Sequence, residues 1–202
     1  MAVYTKINKK DISIINNKFD IEKIVSFQGI KKGIENTNYL LKSKNKKFIL
    51  TIFEKRVSNK EIPFFMKLMD ELNHSNINCP KPLKNNDGSY LIKLRNKTAC
   101  IVSFLGGKDK NKLNLKNCFE VGKIIAQIHS VTKNTKLSRK NSMGIKNLDS
   151  LLKSIKFKSK KFNNLKKFLI NNLADIKKNW PKKLPKGIIH GDLFIDNIFF
   201  RN

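Results

Sequence analysis

Arginine is almost missing from this chain. Of the 43 basic residues among 202, only Arg56, Arg95, Arg139 and Arg201 are arginine; the others are lysine, and 15 acidic residues leave a formal net charge of +28. A balance this basic ordinarily points to nucleic acid. Base readout, however, leans on the arginine fork, and single-strand binding on aromatic stacking. Here the lysines are diffuse and run with abundant asparagine, isoleucine and phenylalanine, the alphabet of an AT-rich genome. The charge therefore reads as a solvated surface. No specific nucleic-acid partner is expected, and a basic nucleic-acid-binding protein stands as the alternative from a different class.

Cysteine is scarce too. Cys79, Cys100 and Cys118 are odd in number and far apart, which fits reduced thiols better than a disulfide frame or a metal site. No apolar stretch approaches the roughly 20 residues of a membrane span. The segment from Met1 to Lys6 lacks the apolar core of a signal peptide. These features point to the cytoplasm and leave the oligomeric state unread. A hydrophobic content of 40% is that of a globular chain, long enough for one or two domains.

What is present divides in two. Asp11 to Phe19 reads as a short helix capped by Asp11. Strand-like runs follow at Ile24 to Phe27, Asn38 to Leu41 and Phe48 to Phe53. Then comes a helical beat over Lys60 to Leu72, with Pro63 in its first turn. Two more strands, Ser89 to Leu94 and Thr98 to Phe104, meet at a turn through Arg95-Asn96-Lys97. Beyond a hinge at Leu105-Gly106-Gly107-Lys108 the period is helical: Cys118 to His129, Leu148 to Ile155 and Phe162 to Ile176. Lys153 to Lys167 keeps its apolar beat and reads as a helix face. The fold class is α+β. Residues 1–104 form a sheet-rich lobe, and residues 105–202 a helical one.

The most informative segment lies near the end: Gly187-Ile188-Ile189-His190-Gly191-Asp192-Leu193-Phe194-Ile195-Asp196-Asn197-Ile198-Phe199-Phe200. An Asp and an Asn with four residues between them form the layout of a phosphoryl-transfer loop. A hydroxyl that attacks a phosphoryl group needs a carboxylate to take its proton, and Asp192 is the candidate. A hard cation must neutralise the phosphates, and the amide oxygen of Asn197 suits it. The apolar runs on either side read as two short buried strands that hold the loop, with His190 orienting it. A bare His-Gly-Asp would be an ordinary surface turn; the spaced Asn and the flanking runs favour the functional reading.

Upstream, Gly29 and Gly33 sit between two strands, where missing Cβ atoms would let backbone amides approach a triphosphate. Two glycines in a hairpin are weak evidence alone; with the downstream loop they reinforce it. A protein-kinase-like site also carries a lysine on the third strand paired with a glutamate on the next helix. Here Thr51 stands at the first position and Phe65 at the second. Loss of both is coherent, because a lone buried charge is costly. Lys55 lies on the Thr51 face by strand alternation and reads as a solvated lysine.

With these residues in view the chain resembles the bacterial homoserine kinases of the aminoglycoside-phosphotransferase type. The resemblance rests on Met1-Ala2-Val3-Tyr4-Thr5, on Ser26-Phe27-Gln28-Gly29-Ile30 with Gly33-Ile34-Glu35-Asn36-Thr37-Asn38-Tyr39, and on Phe48 to Val57. It continues through Pro63-Phe64-Phe65, Cys79-Pro80-Lys81-Pro82, Trp180-Pro181 and His190-Gly191-Asp192-Leu193-Phe194. It implies a protein kinase-like bilobal fold and transfer of the γ-phosphate of ATP to the hydroxyl of L-homoserine, in threonine synthesis. It makes Asp192 the base and Asn197 a Mg²⁺ ligand. Gly29, Gly33 and Asn38, with the hinge from Ser103 to Leu105, would hold ATP. Kinases of an aminoglycoside, choline or a sugar share that fold and stay open as alternatives. Members of that family continue past the position of Asn202, into a strand with a second metal-binding Asp. No such residue follows Asn197, so a fragment or interrupted reading frame with little activity of its own is expected.

Overall fold

Asn8 starts the first helix. Its side chain accepts from the backbone N–H groups of Lys10 and Asp11, while Asp11 Oδ2 accepts from Asn8 N at 2.7 Å, a reciprocal capping box. The helix, α1, spans Lys9–Lys18. Asp11 is thus its third residue and not its cap, as the sequence had implied. The buried carboxylate also holds Arg95, whose Nη2 lies 2.7 Å from Asp11 Oδ2. The computed structural model describes residues 3–33, 35–54, 58–141, 144–155, 162–181 and 183–201. They fall into two compact units, 1–138 with 188–202, and 139–187.

In the first unit, five antiparallel strands form one sheet: β1 (Ser26–Gly29), β2 (Thr37–Lys42), β3 (Lys47–Ile52), β4 (Leu91–Leu94) and β5 (Lys97–Ser103). Their order is β1-β2-β3-β5-β4. Strand alternation gives the sheet two working faces. Phe48, Leu50 and Ile52 of β3, with Ala99 and Ile101 of β5, pack against Ile12, Ile15 and Phe19 around α1. Cys100 and Val102 turn the other way, towards Ile62 and Met66 of α2 (Ile62–His74), with Ile49 and Phe53 beside them. Fully buried Ile15, Leu41, Leu50, Ile52 and Ile101 each contribute about 2 kcal/mol over an exposed position. The strands are thereby fixed as a rigid base for the loops they carry. The β4–β5 turn is a two-residue hairpin, with Arg95 (φ 51°) and Asn96 (φ 59°) both left-handed, as the right-handed strand twist favours.

After the hinge, α3 spans Leu115–Thr132, again with an Asn cap, Asn114, reciprocated by Asn117. In the second unit, α4 (Ile145–Ser154) and α5 (Asn163–Lys178) are joined by an ion pair between Lys177 and Asp149. They flank a cavity of about 440 Å³ lined by Leu152, Ile155, Ile170 and Leu173. The helix face expected over Lys153 to Lys167 is interrupted: α4 ends at Ser154 and α5 begins at Asn163, and residues 156–161 lie outside the described set. No helix among the described residues is long and apolar enough to cross a membrane.

Candidate active site

The strands expected on either side of Asp192 are not formed. Residues 187–189 are irregular, and Ile189 and Phe199 are 66% and 54% exposed. In place of a second strand, a 3₁₀ turn at Ile195–Asn197 closes the loop, with Asn197 N donating to Phe194 O at 2.9 Å. A single bridge then pairs Phe200 with Lys108 through two backbone bonds of 2.9 and 3.0 Å. The apolar letters misled because they were read as burial, whereas four polar residues between them favour a tight turn.

That turn brings the two expected residues together. Asn197 Nδ2 donates to Asp192 O at 2.8 Å and lies 3.3 Å from Asp192 Oδ2. With its nitrogen so engaged, the amide oxygen remains as the acceptor beside the carboxylate. Gly191 takes φ +76°, and Asp192 N donates to His190 Nδ1 at 3.4 Å, so His190 helps shape the loop. Asp196 adds a third oxygen-donor side chain on the same turn. An amide and carboxylates are the hard oxygen set that Mg²⁺ takes.

The hinge anchors this turn through its glycines. Gly107 has φ +128°, and a Cβ there would lie 2.9 Å from Phe200 O, so both backbone and neighbour demand glycine. Lys110 Nζ sits 4.8 Å from the Phe200 ring centroid, a cation–π contact at the same junction. Ser103 is tied to Lys81 in both directions: its N–H donates to Lys81 O at 2.8 Å, and its Oγ accepts from Lys81 N at 2.9 Å. Leu105 follows, half-buried, in the irregular stretch before the two glycines.

The glycine loop leaves β1 at Gly29 and returns to β2 at Thr37. Gly33 has φ +107° and open space around it, so its role is conformational. Gly29 differs: a Cβ there would come within 2.9 Å of Val3 Cγ2, so glycine is required by packing against the N-terminal segment. Ile34 lies outside the described residues. Asn38, next to Thr37 in β2, faces Thr51 across the sheet, and Thr51 Oγ1 donates to Asn38 Oδ1 at 2.8 Å. Phe65 of α2 packs on the apolar cluster of that sheet face. Lys55, expected on the Thr51 face, lies outside the described residues.

Two groups escaped the sequence reading. Lys32, inside the glycine loop, pairs with Asp109 beyond the hinge at 2.5 Å. The hydrogen bond and charge of Asp109, with the charge of Asp196, hold the Lys32 ammonium above its usual range, and Lys32 holds Asp109 below its own. The pair links residues 77 apart, so no local pattern marks it; only Lys32's place between the glycines could have drawn attention. The second group is a polar cluster of Thr5, Thr37, Glu54 and Lys97, whose members have no shared sequence motif.

The model of the phosphotransferase enzyme family matches residues 26–202, the sheet, the hinge and the Asp192 turn together. The chain belongs to the phosphotransferase enzyme family. Among curated members, it is 40% identical over 205 residues to the homoserine kinase of Bartonella tribocorum, covering 100% of this chain and 64% of that one. It is 38% identical to the homoserine kinase of Bartonella henselae over 100% of this chain and 64% of that relative. The chain thus spans under two thirds of the length of these phosphotransferases. In solved structures, a spectinomycin phosphotransferase in complex with ADP and spectinomycin superposes with a TM-score of 0.63 at 15% identity, over 98% of this chain and 67% of that one. An aminoglycoside phosphotransferase from Alicyclobacillus acidocaldarius gives 0.55 at 8% identity, over 88% and 55%. At such identities the likeness carries the fold alone: α+β, protein kinase-like, as the sequence had implied.

Proposed function

We propose that this chain carries the nucleotide-binding sheet and the catalytic turn of a homoserine kinase. The observation that carries the reading is the pairing of Asp192 with Asn197 in one turn, within a chain that aligns along its whole length with homoserine kinases. In this reading residues 1–104 bind ATP, and residues 105–202 supply the turn and part of a helical lobe. Gly29, Gly33 and Asn38 line the phosphate side, with Ser103 and Leu105 at the hinge.

Asp192 accepts the proton of the homoserine hydroxyl as the oxygen bonds to the γ-phosphorus. The bond from that phosphorus to the β–γ bridging oxygen breaks, and ADP leaves with the electron pair. Asn197, through its amide oxygen, with Asp196 beside it on the turn, would hold Mg²⁺, which supplies charge neutralisation of the phosphates. His190 keeps the loop in shape. Lys32 of the glycine loop feels the charge of Asp196 on the catalytic turn as well as that of its partner Asp109. The acceptor is a small molecule. We read the location as cytoplasmic and the diffuse lysines as solvated surface without a specific nucleic-acid partner.

Acceptor-dependent ADP release tests the reading. The chain, and the chain joined to the part of its Bartonella tribocorum relative that it does not align with, should be assayed against L-homoserine, choline, an aminoglycoside and a hexose. The joined protein is expected to turn over with homoserine alone and the chain by itself to show little turnover with any acceptor; turnover of the joined protein with another acceptor in place of homoserine would overturn the assignment.

A further inference from the structure

Residues 3–7 run across the sheet before α1 and touch both ends of the glycine loop. At one end, Val3 fills the space that a Gly29 side chain would need. At the other, Thr37 is fully buried, and its Oγ1 accepts from Tyr4 N at 2.9 Å and Thr5 N at 3.1 Å. The same hydroxyl donates to Glu54 Oε1 at 2.6 Å, and Thr5 Oγ1 donates to that oxygen at 2.8 Å. Lys97 of β5 donates to Glu54 Oε2 and, at 2.8 Å, to Thr5 Oγ1. Tyr39 completes the fastening, its hydroxyl donating to Thr5 O at 2.9 Å and accepting from Ile7 N at 3.3 Å. No buried side-chain nitrogen or oxygen among the described residues lacks a partner, so this network is closed.

We propose that Glu54 is a positioning residue for the glycine loop, acting through Thr5 and Thr37 on the strap of residues 3–7 that grips the loop at Gly29 and Thr37. The inference rests on the kinase reading above and deepens it. A loop of backbone amides binds a triphosphate in proportion to how well it is held in the binding shape beforehand. Across the hairpin Ile30 N donates to Asn38 O at 2.8 Å, Glu54 N donates to Asn36 Oδ1 at 3.4 Å, and Lys32 pairs with Asp109; the strap adds its hold at Gly29 and Thr37. The strap holds the near end by packing and the far end by hydrogen bonds. Glu54 needs its charge to do so, because it accepts from two hydroxyls and one ammonium at once. Its side chain is 9% exposed, while that of Lys97 keeps 39% of its surface in solvent.

The test separates phosphate binding from general integrity. Affinities of the full chain for adenosine, ADP and ATP should be measured in wild type, Thr37→Val, Lys97→Met, Lys97→Arg and Val3→Ala. In Thr37→Val and Lys97→Met, ATP affinity should fall about tenfold while adenosine affinity stays within about twofold. Lys97→Arg, which keeps the cation, should recover ATP affinity to within about threefold of wild type. Val3→Ala leaves the polar network whole and serves if the others fail to fold; it should show the same ATP-selective loss, about threefold. Equal losses for adenosine and ATP, or none, would overturn the proposal. A wild-type chain that binds ATP no better than adenosine would remove the kinase reading first, and the positioning role with it.

Discussion

Thr51 donates a 2.8 Å hydrogen bond to Asn38 directly across the β2–β3 ladder, at the strand position where kinase-like sites carry a lysine. The two side chains satisfy one another without charge, on the face that α2 covers with Phe65 and Met66. A lysine there would need a carboxylate from α2, and Phe65 offers none. The neutral pair and the apolar helix face are one consistent solution.

Thr51→Val should therefore alter stability more than catalysis. Loss of a half-buried neutral hydrogen bond that leaves Asn38 Oδ1 unpaired is worth about 1 kcal/mol. Urea unfolding should register that loss, while ATP affinity stays within about threefold of wild type. A drop in ATP affinity as large as that from disrupting the glycine loop would place Thr51 in contact with the nucleotide.

Asp192 and Asn197 should separate proton transfer from metal use. In the chain joined to the remainder of its relative, Asp192→Asn keeps the shape of the turn and removes the proton acceptor, so turnover should fall by roughly 10²-fold or more with ATP binding retained. Asn197→Ala should raise the Mg²⁺ concentration for half-maximal rate, and it also loses the 2.8 Å bond to Asp192 O, so the turn loosens. Near-native turnover in Asp192→Asn would remove Asp192 from the chemistry.

The sheet and its helices were legible because period and turn chemistry agree there. Phe48 to Ile52 alternates between two covered faces, and Arg95-Asn96 suits a left-handed turn. The spacing of Asp192 and Asn197 was legible as well, since it reflects the length of one loop. What escaped is non-local. Gly29 is required by Val3, which sits 26 positions away and carries no signal of its own. Glu54 reads as one more charged residue after a strand until Thr5 and Lys97 converge on it, 49 and 43 positions distant. Around Asp192, the hydrophobic letters of Gly187 to Ile189 and Ile198 to Phe200 suggested buried strands, yet Ile189 and Phe199 are exposed and the backbone turns.

The three thiols should react at very different rates. Cys100 lies in the core beneath α2, and burial pushes its thiol up to about 12; Cys79 is pushed to about 11 by the same cause. Cys118 is exposed on the first turn of α3. Because the thiolate is the reactive form, a disulfide reagent at pH 8 should modify Cys118 promptly and the other two only on unfolding. Fast modification of two thiols in the folded chain would contradict this packing of Cys100 and Cys79.

Glu54 should make the chain acid-sensitive. Burial alone would raise its carboxyl, but the hydrogen bonds from Lys97, Thr37 and Thr5 outweigh that and hold it below the usual glutamate range. The folded state therefore favours the ionised form. Its contribution is complete above the unfolded glutamate value, about 4.3, and is lost as pH falls through the lower folded value. Wild-type stability, followed by urea midpoints between about pH 3 and 7, should decline at the acid end. Glu54→Gln cannot accept from Lys97 and both hydroxyls in the same way, so it should cost about 2 kcal/mol at neutral pH. It should also lose less on acidification, so that the two curves converge at low pH. Parallel curves would mean that Glu54 is not the group whose protonation releases the strap.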